Sequence, residues 1–199
     1  MSTEALATAV GSAAIVLFAG GALVLAPYLQ LEHIEPSPGL RPYTPEEAMG
    51  RGVYVSEGCV YCHSQQPRDP AQAPDDQRGW GRPSVPGDYA YDYPHQLGTM
   101  RTGPDLFNVG ARLPSADWHY LHLYQPRAVS PVSVMPSYAY LFDHVDAVRP
   151  GDLVVKIPPE VQREPGIVVA TPEAQALVRY LLRLDHTAPV LTASQEEQP

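Results

Sequence analysis

A single lysine, Lys156, stands in a chain of 199 residues whose formal net charge is −9. No basic patch can form to release counterions from phosphates, which argues against a nucleic-acid binder. Cysteine is nearly as scarce, with Cys59 and Cys62 the only two. A zinc site wants a second Cys/His pair, and a thioredoxin-like redox pair wants a strand–helix–strand context; neither pattern is present. No Lys or Arg precedes the apolar N-terminal run, so the basic leader of a cleaved signal peptide is missing. A regular helical bundle is disfavoured as well, because 23 prolines and 15 glycines interrupt long helices and predict short ones separated by constrained loops.

What is present begins with an uncharged run from Ala5 to Gln30, longer than the roughly 20 apolar residues that cross a bilayer as a helix. The best small-residue cleavage point falls after Ala26, directly before Pro27, a poor junction for a processing protease. An uncleaved single-pass anchor over residues 1–30 is therefore expected. Its small residues Ala7, Gly11, Ala14, Gly20 and Gly21 suit either close helix–helix approach or a plain lipid-facing span. Residues 31–43 read as a stiff Pro-rich tether, 44–185 as one compact domain, and 186–199 as a polar, frayed tail.

Cys59-Val60-Tyr61-Cys62-His63 uses both cysteines and ends in histidine, the C-x-x-C-H pattern of c-type haem attachment. Two thiols on one tight turn reach two vinyl groups of a porphyrin, and the adjacent imidazole is carried beneath the iron. One covalently bound haem c is the cofactor expected. Such attachment occurs outside the bacterial cytoplasmic membrane, which places the C-terminal domain on the periplasmic side of the inner membrane.

Two helix starts bracket the domain. Thr44-Pro45-Glu46-Glu47 and Thr171-Pro172-Glu173-Ala174 each offer a threonine cap and proline at the first helical position. Gly50 and Tyr54, one turn apart on the first helix, suit close crossing by the second near Tyr180. Between them, 64–99 lacks periodicity and is rich in turn residues, yet Trp80, Tyr89, Tyr91 and Tyr93 predict an ordered loop packed on something. Strand character is confined to 153–157 and 167–169, which could pair as a short ribbon. The fold class expected is all-α: one transmembrane helix joined to a small class I cytochrome c domain with long loops.

A sixth iron ligand suited to electron transfer at elevated potential is a thioether. Met135, in a Pro-bounded loop able to reach the opposite haem face, is the favoured donor and Met100 its main rival. Met49 suits packing, and His95, His119 and His122 remain outside candidates. A proximal imidazole usually donates its other ring hydrogen to a fixed acceptor, and the carbonyl of Pro104, after a glycine that permits close approach, is the candidate. Arg101 and Trp118 are candidates for the haem propionates, with Asp105 or Asp117 as alternative partners for the arginine.

Gly50-Arg51, Tyr54, Glu57-Gly58-Cys59, Cys62-His63-Ser64-Gln65, the run Arg101 to Leu106 (Arg-Thr-Gly-Pro-Asp-Leu), Trp118-His119, His122-Leu123, Pro126-Arg127 and Met135-Pro136 resemble the membrane-anchored mono-haem cytochrome c subunit of cbb3-type haem–copper oxidases. The resemblance spans roughly 43–142. It implies haem on Cys59 and Cys62, iron ligation by His63 and Met135, and docking on an integral-membrane haem–copper catalytic subunit. A further cytochrome c subunit or donor is a second partner it suggests. The subunit would relay electrons toward oxygen reduction without being an enzyme by itself. The chain departs from the family's usual pattern after Gln65 and before Arg101. The cytochrome subunit of a nitric oxide reductase is therefore the runner-up, and a free-standing membrane-tethered shuttle the third reading.

Overall fold

The computed structural model describes residues 2–32 and 34–189. Helix α1 (Thr3–Gly20) opens on the Ser2 hydroxyl, which accepts from the amide of Ala5, and passes through a wide π turn, Gly21–Leu25, into α2 (Ala26–Leu31). Pro27 lacks an amide hydrogen and crowds the preceding turn; the wider turn just before it relieves that conflict without ending the helix. The continuous span Thr3–Leu31 has 29 residues, a mean hydropathy of 2.2 over its most apolar window, and none of that window buried. At 1.5 Å per residue it is roughly 43 Å long, enough to cross a bilayer core of about 30 Å.

Helix α3 (Pro45–Ser56) begins with a reciprocal capping box between Thr44 and Glu47. Arg41 reinforces it by a two-pronged contact with the Glu47 carboxylate at 2.6 and 2.7 Å. Helix α7 (Pro172–Arg183) opens on Thr171 and crosses α3 so closely that a Cβ on Gly50 would stand 1.9 Å from the carbonyl oxygen of Ala176. Only glycine permits that approach, and it brings the rings of Tyr54 and Tyr180 to 5.4 Å. The crossing anticipated at Gly50, Tyr54 and Tyr180 is thus the centre of the core, where Tyr54, Tyr124 and Tyr180 are wholly buried. Three short helices, α4 (Val109–Arg112), α5 (Ala116–Tyr124) and α6 (Pro126–Val129), complete the helical wall.

The fold is not all-α. Strands β1 (Phe142–Val145), β2 (Leu153–Val154) and β3 (Ile167–Ala170) form an antiparallel sheet in the order β1-β3-β2. The ribbon expected from 153–157 and 167–169 is the β2–β3 pair, with Leu153 opposite Ala170. Strand β1 went unanticipated because its four residues carry one buried apolar anchor, Phe142, which packs edge-on against Tyr120 and Tyr124. Such a short polar strand is stabilised by its neighbours rather than by local propensity.

The long 64–99 segment contains one 3-10 turn, Pro86–Tyr89, and is ordered by ion pairs. Asp75, Asp88 and Asp92, at 0%, 3% and 7% exposure, are held respectively by Arg101, Arg82 and Arg51. Burial alone would raise the carboxyls of Asp75 and Asp88, but the arginines and nearby backbone amides outweigh it and keep both below the usual range. The guanidinium groups of Arg78 and Arg101 both lie over the Trp80 ring, 4.9 and 5.4 Å from its centroid. The start of the expected tail is docked rather than frayed: His186 stacks on Phe107 at 4.0 Å, and the carbonyl of Ala188 accepts from Arg82 at 2.9 Å. The remainder of that tail, 190–199, lies outside the described residues.

Candidate haem site

Helix α3 ends at Ser56, and Gly58, with φ +71°, turns the chain into a 3-10 turn over Cys59–Tyr61. The amides of Cys62 and His63 both donate to the Cys59 carbonyl, at 3.1 and 2.9 Å, so the two thiols share one turn. Neither forms a disulfide; Cys62 is exposed and Cys59 half-buried. Burial, with Glu57 nearby, pushes the Cys59 thiol up to about 12, which keeps it protonated.

His63 is fixed from below. Its Nδ1–H donates to the Pro104 carbonyl at 2.7 Å, and burial lowers its pKa, so the ring is neutral. Nε2, left as the lone-pair nitrogen, has no hydrogen-bond partner among the described residues. A Cβ on Gly103 would meet the imidazole Cε1 at 2.2 Å. The segments are stitched by a backbone bridge between His63 and Arg101, by Gly103 N–H to the Cys62 carbonyl at 3.0 Å, and by Leu106 N–H to the Ser64 carbonyl at 2.8 Å. Asp105, fully buried, clamps the same junction by accepting from the Ser64 hydroxyl at 2.6 Å and from the amides of Gln66 and Phe107 at 2.8 Å. On the other side, Gln65 donates to the Tyr180 hydroxyl of α7 at 3.1 Å.

The head group of Arg101 is engaged, and its carboxylate partner is Asp75 rather than the Asp105 or Asp117 considered from the sequence. One terminal nitrogen meets Asp75, the other the Gln66 carbonyl at 2.8 Å, and only Nε is left without a partner. Arg112, which sequence reasoning passed over, has no carboxylate partner among the described residues. It makes one bond, to the Asp105 carbonyl at 2.9 Å, and its Nε is buried and unpaired. Trp118 stacks on His122 at 4.7 Å. Burial, with His63 and His119 close by, lowers His122 to about 4, and its Nδ1 is buried and unpaired. Three of the six orphaned buried side-chain atoms among the described residues, Arg101 Nε, Arg112 Nε and His122 Nδ1, belong to residues near His63. Buried donors without acceptors are costly, and two carboxylates arriving with a porphyrin would satisfy them.

The opposite wall comes from 130–140. Met135 is half-buried against the core that also receives Cys59 and Val60. Its neighbours Val132 and Val134 are 89% and 73% exposed. Burial raises Tyr138 to about 12, with Cys59, Glu57 and Cys62 adding to the effect, and the Tyr140 hydroxyl donates to the Glu57 carboxylate. Tyr138 and Tyr140, three and five residues after Met135, therefore lie beside the cysteine turn. Met100 is 54% exposed and adjoins Arg101 on the His63 side, Met49 is 46% exposed on α3, and His95 is exposed. His119 is buried, with its Nε2 on the Leu113 carbonyl at 2.8 Å.

Two free thiols on one turn, an oriented imidazole beside them, and buried Nε groups of Arg101 and Arg112 without acceptors make a donor set that fits a haem. No curated protein matches the chain. A family profile described as "Cytochrome C oxidase, mono-heme subunit/FixO" matches residues 2–152, which include the apolar helix, the cysteine turn and the Met135 loop. The chain belongs to this family of mono-haem cytochrome c oxidase subunits.

Proposed function

We propose that the protein is the electron-transfer subunit of a membrane haem–copper oxidase. It would carry one haem c on Cys59 and Cys62, ligated by His63 and Met135, and pass electrons to the integral-membrane catalytic subunit in aerobic respiration. When bound, the haem supplies a one-electron iron couple. Every other contribution comes from the polypeptide. Pro104 fixes the tautomer of His63 and makes Nε2 the metal-facing nitrogen. Gly103 lets that carbonyl come within bonding distance. Arg112, His122 and the Trp118 indole supply N–H donors for the propionates, with Arg101 limited to its Nε. The Met135 loop would supply a thioether to the iron and shield it from water. Thr3–Leu31 anchors the domain in the bacterial inner membrane, with the haem on the periplasmic side.

The hydrogen bond from His63 to Pro104 beside two free thiols carries the reading, since it orients an imidazole for a metal and serves no packing need that another residue could not meet. The match to an oxidase-subunit family supports the oxidase over a nitric oxide reductase. The test is the purified full chain. It should retain haem mass under denaturation, show the weak far-red band of thioether-ligated ferric iron, lose that band in Met135→Ala but not in Met100→Ala, and co-purify with oxygen-reducing activity. Mass equal to the polypeptide alone would end the proposal.

A further inference from the structure

Chain connectivity leaves almost no slack between the apolar helix and the domain. The amide of Glu32 donates to the Tyr28 carbonyl at 3.0 Å and that of Ile34 to the Leu31 carbonyl at 3.1 Å, so helical bonding continues past Leu31. The amide of Ser37 then donates to the Gly87 carbonyl at 3.1 Å. A Cβ on Gly87 would lie 2.6 Å from the Glu35 carbonyl oxygen and 3.0 Å from the Ser37 hydroxyl. Residues 35–37 are therefore seated on the Pro86–Tyr89 turn, and the first half of the 31–43 segment does not act as a spacer. Only Glu35 and Pro36 lie between the two sets of bonds, a reach of at most about 11 Å fully extended. The tether thus adds at most about 11 Å to the height at which the helix leaves the polar headgroup layer.

The surface that follows this turn is suited to such a layer. In 86–98 the only formally charged residues are Asp88 and Asp92, and both are buried and ion-paired. Tyr93 is 91% exposed and Tyr91 40%, while Tyr28, near the end of the apolar helix, is 61% exposed. A phenol places an apolar ring against lipid and its hydroxyl in water, which is why tyrosine collects at membrane interfaces. In a chain of net charge −9, a neutral aromatic stretch beside the point where the helix enters the domain is an unusual surface to leave in water.

We propose that Tyr91 and Tyr93 lie in the lipid headgroup region of the leaflet from which the helix emerges, so that the domain is fixed to the bilayer at two points. The proposal rests on Thr3–Leu31 crossing the membrane. The test uses the haem-loaded full chain in phosphatidylcholine/phosphatidylglycerol nanodiscs with no other subunit present. With both native cysteines bonded to haem, Tyr93→Cys, Phe18→Cys and Val132→Cys each offer one thiol for a nitroxide, at positions 91%, 79% and 89% exposed. With the iron reduced, power saturation compares relaxation by oxygen, which enters lipid, with relaxation by a water-soluble nickel chelate. The label at 93 should show several-fold lower nickel accessibility than that at 132, approaching the lipid value of that at 18. Equal nickel accessibility at 93 and 132, with 18 in lipid, overturns the proposal alone. Water exposure at 18 overturns the anchor and the proposal together.

Discussion

Replacing Gly103 by alanine tests the geometry on which haem ligation depends. The added methyl would lie 2.2 Å from Cε1 of His63 and 2.7 Å from both ring nitrogens, against a normal contact of about 3.5 Å. An overlap of about 1 Å on a ring that is hydrogen-bonded on one side cannot be absorbed by rotation. Either the imidazole tilts or the Gly103–Pro104 backbone withdraws, and both lengthen the 2.7 Å bond to the Pro104 carbonyl beyond hydrogen-bonding range. Overpacking costs about 1 to 3 kcal/mol and the lost hydrogen bond about 1 kcal/mol. A total of about 3 kcal/mol corresponds to a fall in Tm of about 6 to 12 °C for a domain of this size. The cysteines do not move, so covalent haem should remain by mass spectrometry while the imidazole becomes a weaker donor and the midpoint potential rises. Gly52→Ala on α3, which meets nothing within 4 Å, is the control and should stabilise the helix by up to about 1 kcal/mol. Unchanged Tm and potential in Gly103→Ala would refute the assignment of the glycine to the ring.

The two arginines near His63 should separate cleanly. Arg101→Gln leaves Asp75 buried without its cation and should cost about 3 to 5 kcal/mol in denaturant unfolding. Arg112→Gln removes a cation that pairs with no carboxylate among the described residues, so it should cost only about 1 kcal/mol while lowering the haem potential in redox titration. Gly50→Ala would drive a methyl into the Ala176 carbonyl at 1.9 Å, separate α3 from α7, and cost more than about 3 kcal/mol by the same overpacking, read as loss of cooperative thermal unfolding. The hydrogen-bonded Arg41 guanidinium, chiefly, lowers the Glu47 carboxyl from 4.5 to about 2. Its stabilising effect is therefore complete above the unfolded value and is lost as pH falls through the folded one. Because Arg41 is 51% exposed, the effect is about 1 kcal/mol after screening, and Glu47→Gln should flatten the stability profile between these two pH values.

Local chemistry announced what local chemistry decides. The caps at Thr44 and Thr171 satisfy backbone demands within three residues, and Gly50 and Gly103-Pro104 were readable because a missing side chain and a fixed turn mark close approach whatever the partner. The Arg–Asp pairs that order 64–99 join residues up to 41 positions apart, and nothing in the order of the letters distinguishes Asp75 as the partner of Arg101 from Asp105 or Asp117. Arg112 was invisible by the same logic. What marks it is the carboxylate missing from its surroundings, a property of the packed state. Strand β1 depends on β3, which arrives more than 20 residues later, so its four residues carry too little alternation to be recognised alone.

Helix α7 lies wholly beyond residues 2–152, yet it supplies Tyr180 behind Gln65 and the carbonyl against Gly50. A ribosome must add about 120 more residues after Cys62 before Arg183 is made, roughly 6 to 24 s of synthesis. For that interval the cysteine turn is a ribbon whose rear wall does not yet exist. Under the proposed function, attachment needs only the turn and its two thiols, so chains ending at residue 170 should still hold a porphyrin covalently.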